Sequence, residues 1–99
     1  MIDAAPHDLE IVRSILKNLV PDALIMVFGS RINGTSRDIS DLDLAIDLGR
    51  KMSIMETGTL KEAFQESNLP FRVDVIDWHR TSPQFQAIIK RQYEILRIN

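Results

Sequence analysis

Apolar positions change their spacing several times along this chain, and each change marks an element. Between Asp8 and Leu19, the residues Leu9, Val12, Leu16 and Leu19 recur at three- and four-residue intervals. That is the stripe of a helix that packs by one face, and Pro21-Asp22 ends it. Ala23 to Phe28 is an unbroken apolar run of strand length, as in a strand buried on both faces. Gly29 to Ser40 is polar, and a short helical turn can start at Ser30. From Asp41 to Asp47 carboxylates and aliphatics alternate, the period of a second strand, and Leu48 to Met52 is a connection. Ser53 and Glu56 fit a capping box, although Gly58 weakens the first turns and the helical pattern is clearer from Leu60 through Ala63 and Phe64. Asn68-Leu69-Pro70 stops this helix, and Phe71 to Asp77 reads as a third strand. Ser82-Pro83 is an N-cap and first helical position for a helix carrying Phe85, Ile88 and Ile89. Tyr93 to Asn99 fits either a helix end or a short edge strand. The order predicts an α+β fold, one mixed β-sheet with flanking helices.

Composition narrows the class. Ninety-nine residues make one domain, residues 1–99, with a modest core. The 44% hydrophobic and 26% charged content is that of an ordinary globular protein, which excludes a low-complexity or collagen-like chain. No run is long enough to span a membrane and no secretory leader is present, so the cytoplasm is the expected location. With no cysteine there is neither disulfide, thiolate metal site nor cysteine nucleophile. His7 and His79 are too few and too dispersed for a histidine zinc site. A net charge of −2 gives no general attraction to a polyanion, so nucleic acid is not an expected partner. Lys90-Arg91, with Arg97 nearby, reads as a solvated face.

Charge placement is more informative than charge balance. Alternation puts Asp41 and Asp43 on one face of their strand, roughly 6.5–7 Å apart. Both can reach one divalent cation or a close pair. Asp74, central in the third strand, is a candidate third carboxylate, because burying it unpaired would be costly. Mg²⁺ suits such a set, since it takes carboxylate oxygens and retains water. Two such ions about 3.5–4 Å apart can clamp the attacking and leaving oxygens of a phosphoryl transfer. Gly29-Ser30, at the end of the first strand, can hold phosphate on backbone N–H groups and a hydroxyl, with Arg31 adding charge. A small-residue turn for phosphates with three strand-borne carboxylates points to nucleotidyl transfer.

Plainer explanations exist for each piece. Gly-Ser after a strand is usually a turn, and Asp-x-Asp is common at strand ends. Asp47 and Asp77 read as strand-end polar residues. Arg31, Arg37 and Asp38 read as solvated in the absence of substrate, His79 as exposed, and Trp78 as the anchor of a core edge. A calcium loop fails because Ala45 and Ile46 stand where a ligand and a glycine belong. There is no Gly-Lys-Ser/Thr for a P-loop and no Gly-x-Ser-x-Gly elbow.

Together, Phe28-Gly29-Ser30-Arg31, Ser40-Asp41-Leu42-Asp43-Leu44 and Val73-Asp74-Val75 resemble the polymerase-beta-like nucleotidyltransferase superfamily, in particular its minimal nucleotidyltransferase branch. The likeness runs from about Leu9 to the last helix. It implies the polymerase-beta-like fold, with Gly29, Ser30 and Arg31 at the nucleotide. It also implies Asp41, Asp43 and Asp74 as catalytic metal ligands, two Mg²⁺ ions, and ATP as substrate. Larger members carry a further helical domain that this chain lacks. Minimal members are often encoded beside a HEPN-domain toxin and transfer AMP to one of its tyrosines, neutralising it. The resemblance therefore implies a protein adenylyltransferase antitoxin with a HEPN partner. It leaves self-association or assembly with a partner open. The alternatives are a non-catalytic antitoxin that occludes its partner and a small-molecule nucleotidyltransferase.

Overall fold

In a computed structural model the chain forms a four-stranded mixed sheet with helices on both faces; residues 2–35 and 40–99 are described. The first helix, α1 (Pro6–Leu19), starts two residues before the expected point. Pro6 sits in its first turn, where a missing N–H costs nothing. The strand β1 (Leu24–Phe28) leads into a single turn of helix, α2 (Ser30–Asn33). The strand β2 (Leu42–Asp47) follows, then α3 (Ile54–Gln65) and β3 (Val73–Asp77). A 3₁₀ turn (Trp78–Arg80), α4 (Pro83–Arg91) and the two-residue strand β4 (Glu94–Ile95) complete the order.

Local chemistry explains most boundaries. Both bonds of the capping box exist: Ser53 Oγ accepts from the Glu56 N–H at 3.0 Å, and the Glu56 carboxylate accepts from the Ser53 N–H at 2.8 Å. These bonds start α3 at Ile54 despite Gly58, six residues before the clearer pattern. Ser82 caps α4 through the Phe85 N–H. The ambiguous C-terminus is the short edge strand, not a continued helix.

The sheet order is β3-β2-β1-β4, with β1 antiparallel to β2 and to β4, and β2 parallel to β3. Alternate strand positions divide the core. On one face Ile25, Val27, Leu42, Leu44, Ile46 and Val75 pack with Val12 and Leu16 of α1 and Leu60 and Phe64 of α3. Leu96 and Ile98, beyond β4, close the same cluster. On the other face a smaller cluster forms from Met26, Ala45 and Ile89, with Phe28, Ile76 and Trp78 packed against it. Trp78 thus anchors a core edge, as read from the sequence. Only three residues of β1 are buried, Ile25 to Val27; Leu24 is exposed, because α4 covers the second face incompletely. No helix among the described residues is long and apolar enough to cross a membrane.

Candidate functional site

Strand direction gathers the candidate residues at one end of the sheet. Because β1 is antiparallel to β2, its C-terminal residue Phe28 lies opposite Asp43. Because β3 is parallel to β2, Asp74 lies opposite Asp43 on the other side. Directly paired residues point to the same face. Phe28, Asp43 and Asp74 therefore form one row across three strands, on the face that carries Ala45, Ile76 and α4. Asp41, two residues before Asp43, has the same parity.

Gly29 turns the chain beside this row. Its φ of 83° is one that residues with a Cβ rarely adopt. A Cβ at this position would also collide with Oδ2 of Asp43. The Asp43 carboxylate thus lies directly against the Gly29 backbone, and only glycine leaves room for it. The Gly29 carbonyl accepts from the Ile32 N–H at 3.0 Å and the Asn33 N–H at 3.1 Å, which winds α2. Ser30, first in α2, has an N–H with no intrahelical acceptor. Its hydroxyl makes no hydrogen bond among the described residues.

The three carboxylates differ in setting. Asp43 is half-buried, and its pKa is raised to about 6, first by burial and then by the charges of Asp74 and Asp41. Asp74 is exposed, contrary to the expectation that a mid-strand carboxylate would be buried: β3 is an outer strand, with no neighbour beyond it. Asp41 is exposed too, and Nε of Arg72 stands 4.0 Å from its Oδ2. Arg72 was not singled out from sequence, though it has the parity of Asp74 and sits two residues before it. Neither Asp43 nor Asp74 has a hydrogen-bond or ion-pair partner among the described residues.

Those residues contain no group of three acidic or histidine side chains close enough to hold a metal ion by themselves. The donor set still fits a hard divalent cation. All its atoms are carboxylate oxygens, and a cation would offset both the burial and the neighbouring charges that raise Asp43's pKa. Mg²⁺ commonly keeps waters and substrate phosphates as its remaining ligands, so an open set is compatible with it.

Arg31 is not solvated: it is 5% exposed. Its Nε and Nη2 both donate to the Ser40 carbonyl, at 3.0 and 2.8 Å, and its Nη1 donates to the Asp3 carbonyl at 2.7 Å. The guanidinium lies 4.2 Å from the centre of the Phe71 ring. The expectation of a solvated cation failed because these partners are distant in sequence. Arg37 and Asp38 lie outside the described residues.

The opposite end of the same strands holds a second pair of aspartates. Asp77 is buried, and its carboxylate accepts from the Met52 N–H at 2.7 Å and the His79 N–H at 3.0 Å. Arg80 Nε stands 3.4 Å from it. Asp47 accepts from the Gly49 N–H at 2.7 Å and lies 2.6 Å from His79 Nε2. His79 is exposed, as read from the sequence, and its ring is paired with Asp47. The bridging role of Asp77 to Met52 carried no sequence signal, since the two are 25 positions apart.

Two hollows flank the carboxylate row. One, about 500 Å³, follows the outer edge of β3 and is lined by Lys61, Phe64, Phe71, Arg72 and Asp74. The other, about 380 Å³, lies between Gly29 and α4, lined by Phe28, Asn33, Phe85 and Ile88. Asp41 and Asp43 are not among the residues lining either hollow.

Known proteins resemble this chain in sequence and in fold. The sequence profile of the family described as "Polymerase beta, Nucleotidyltransferase" matches residues 10–98. A "Probable protein adenylyltransferase MntA" from Haemophilus influenzae is 44% identical over 96 residues, covering 97% of this chain and 84% of that protein. Among solved structures, a chain of a toxin–antitoxin complex with AMP-PNP superposes with a TM-score of 0.74 at 25% identity, over 90% of this chain and 72% of the other. A chain from a tri-AMPylated Shewanella oneidensis HEPN toxin in complex with MNT antitoxin gives 0.69 at 21% identity, covering 92% and 70%, and attests the fold alone. With a profile match over nearly its whole length, this chain belongs to the polymerase-beta nucleotidyltransferase family.

Proposed function

We propose that this nucleotidyltransferase is the antitoxin of a toxin–antitoxin pair, transferring AMP from ATP to a tyrosine hydroxyl of a HEPN-domain toxin. The observation that carries the reading is the row Phe28–Asp43–Asp74, which sets two carboxylates beside the Gly29-Ser30 turn. The likeness to an MntA adenylyltransferase supports the choice of acceptor class. Gly29 and Ser30 hold the β- and γ-phosphates. Asp41, Asp43 and Asp74 would hold Mg²⁺, which would neutralise charge that develops on the phosphate oxygens. Arg31 supports this set from beneath.

The tyrosine oxygen attacks the α-phosphorus. A P–O bond forms there, the bond to the bridging oxygen breaks, and pyrophosphate leaves. The phenolic proton passes to Asp74, the exposed carboxylate nearest the open edge. A tyrosine titrates near pKa ~10, so this acceptor is needed at neutral pH. The partner also excludes water from the exposed carboxylates, where water would otherwise compete as nucleophile. The setting is the cytoplasm, where ATP and Mg²⁺ are at hand.

The test is co-purification with the protein encoded beside it, followed by addition of ATP and Mg²⁺ and mass spectrometry of the neighbour. An AMP increment on a tyrosine supports the reading. An unmodified neighbour that the Asp41→Asn, Asp43→Asn protein neutralises fully would replace it with occlusion without catalysis. Transfer to a small hydroxylated molecule, with the neighbour untouched, would replace it with a small-molecule enzyme.

A further inference from the structure

Three chain segments carry the candidate site, and one side chain touches or adjoins all of them. The phosphate turn ends at Ser30, and Arg31 follows it directly. Ser40 precedes Asp41, and its carbonyl takes two hydrogen bonds from the Arg31 guanidinium. Phe71 stands three residues before Asp74, and its ring lies 4.2 Å from that guanidinium. The next residue, Arg72, accepts the Leu42 N–H at 2.9 Å, which starts the β2–β3 ladder between Asp41 and Asp43. The N-terminal segment is drawn in as well: the Asp3 carbonyl accepts from Nη1, and the Asp3 N–H donates to the Arg31 carbonyl at 2.7 Å.

We propose that Arg31 is a positioning residue for divalent-ion binding, fixing the Asp41–Asp43 segment relative to Asp74 by clamping Ser40 while stacking on Phe71. The inference rests on the nucleotidyltransferase reading and assigns Arg31 a task other than contact with phosphate.

The physical case is one of geometry. Asp43 and Asp74 sit on neighbouring strands and are held in register by the ladder. Asp41 is different: it precedes β2, and the ladder holds it only on its C-terminal side, through the Leu42 N–H to the Arg72 carbonyl. The clamp on Ser40 supplies the restraint on its N-terminal side. A guanidinium is suited to the task because its flat fork donates twice to one carbonyl and still presents a face to an aromatic ring. At 5% exposure, this group is part of the scaffold under the site and is not offered to solvent. Residues that orient metal ligands without touching the metal typically change affinity by about 10–100-fold when replaced.

Arg31→Lys separates geometry from charge, since it keeps the cation and loses the fork and the flat face. Phe71→Leu removes only the stacking surface. The measurement is Mn²⁺ affinity of the protein without nucleotide, by electron paramagnetic resonance of the free ion, with thermal melting of each variant and Asp43→Asn as the weak-binding reference. A folded Arg31→Lys that binds Mn²⁺ about tenfold or more weaker than wild type is the expected result, with Phe71→Leu in between. Wild-type Mn²⁺ affinity in a folded Arg31→Lys overturns the proposal; if ATP binding alone weakens, Arg31 contacts phosphate instead. Should Arg31→Lys fail to fold, Phe71→Leu decides: wild-type Mn²⁺ affinity there makes Arg31 structural only. A wild-type chain that binds no Mn²⁺, with ATP or without it, removes the carboxylate metal site and this inference with it, an outcome distinct from wild-type binding that the variants retain.

Discussion

The strands β2 and β3 carry aspartates at both ends, and the two ends treat them oppositely. At the C-terminal end Asp47 and Asp77 are surrounded by donors: backbone N–H groups of Gly49, Met52 and His79, the His79 ring and Arg80. At the N-terminal end Asp43 and Asp74 face each other without such donors, and Asp41 has only the distant Arg72. The same residue type on the same two strands is structural at one end and electrostatically unsatisfied at the other. Among the described residues no donor bonds the Asp43 or Asp74 carboxylate, and burial together with the charges of Asp74 and Asp41 raises Asp43's pKa. An arrangement that costs stability in the free protein is expected where a ligand supplies the missing charge.

The comparison breaks most readily at Asp43 and Asp77. Asp43→Asn is expected to lower AMP transfer by at least about a hundredfold, as when a preorganised charge is removed from a phosphoryl-transfer site. Metal-free Asp43→Asn should melt no lower than wild type at neutral pH, because a repelled charge is gone. Transfer assays and melting curves on the same preparation check both halves. Asp77→Ala should do the reverse. It leaves the buried Met52 N–H without an acceptor and is expected to cost about 2–4 kcal/mol. In a domain of this size that lowers Tm by on the order of 10 °C or more. Transfer per folded molecule should hold.

Titration sharpens the contrast. A carboxyl raised from 3.8 to about 6 favours the folded state most when protonated. Asp43's contribution to metal-free stability is therefore full below pH 3.8 and lost as pH rises to about 6. Metal binding runs the other way, since the ligand must be ionised. Mn²⁺ affinity is expected to fall by about tenfold per pH unit below 6 as Asp43 protonates, measured by titrations between pH 5 and pH 7. A flat profile would detach Asp43 from the ion. The smallest effect belongs to His79→Ala. Its pair with Asp47 is 2.6 Å long but partly exposed on both sides, and its loss should cost about 1 kcal/mol or less with no change in transfer.

Features written in neighbouring residues were legible in the sequence. The capping box at Ser53 and Glu56, the cap at Ser82-Pro83, the stripe of α1 and the alternation of β2 depend on contacts within a few positions, and each formed. The shared face of Asp41 and Asp43 follows from the same period. What failed depends on which strand lies at the edge and on pairs distant in sequence. β3 reads like an interior strand, yet it has no outer neighbour, so Asp74 is exposed. Arg31 reads as a surface cation until Asp3, Ser40 and Phe71 arrive around it. Asp77 is the strand end it reads as, but its bond to the Met52 N–H left no local signal. Local periodicity has no access to such meetings.

The late closure of the main core bears on how such a chain survives in a cell. Leu96 and Ile98 complete a cluster whose other members include Val12 and Leu16, and Leu96 donates to the Ile25 carbonyl at 3.0 Å. Arg13 Nε reaches the Arg97 carbonyl at 3.1 Å, and Asn99 bonds the Pro21 carbonyl at 3.1 Å. Early and late segments thus stabilise one another. Closing so long a loop is slow compared with forming a local hairpin. Residues 96–98 must be in place before α1 is sealed, and a cut that removes them unseals it. Loss of Leu96 and Ile98 would expose the α1 side of the core while leaving Asp41, Asp43 and Asp74 untouched. Resistance to opening would then be set at Leu96 and Ile98, apart along the chain from the chemistry.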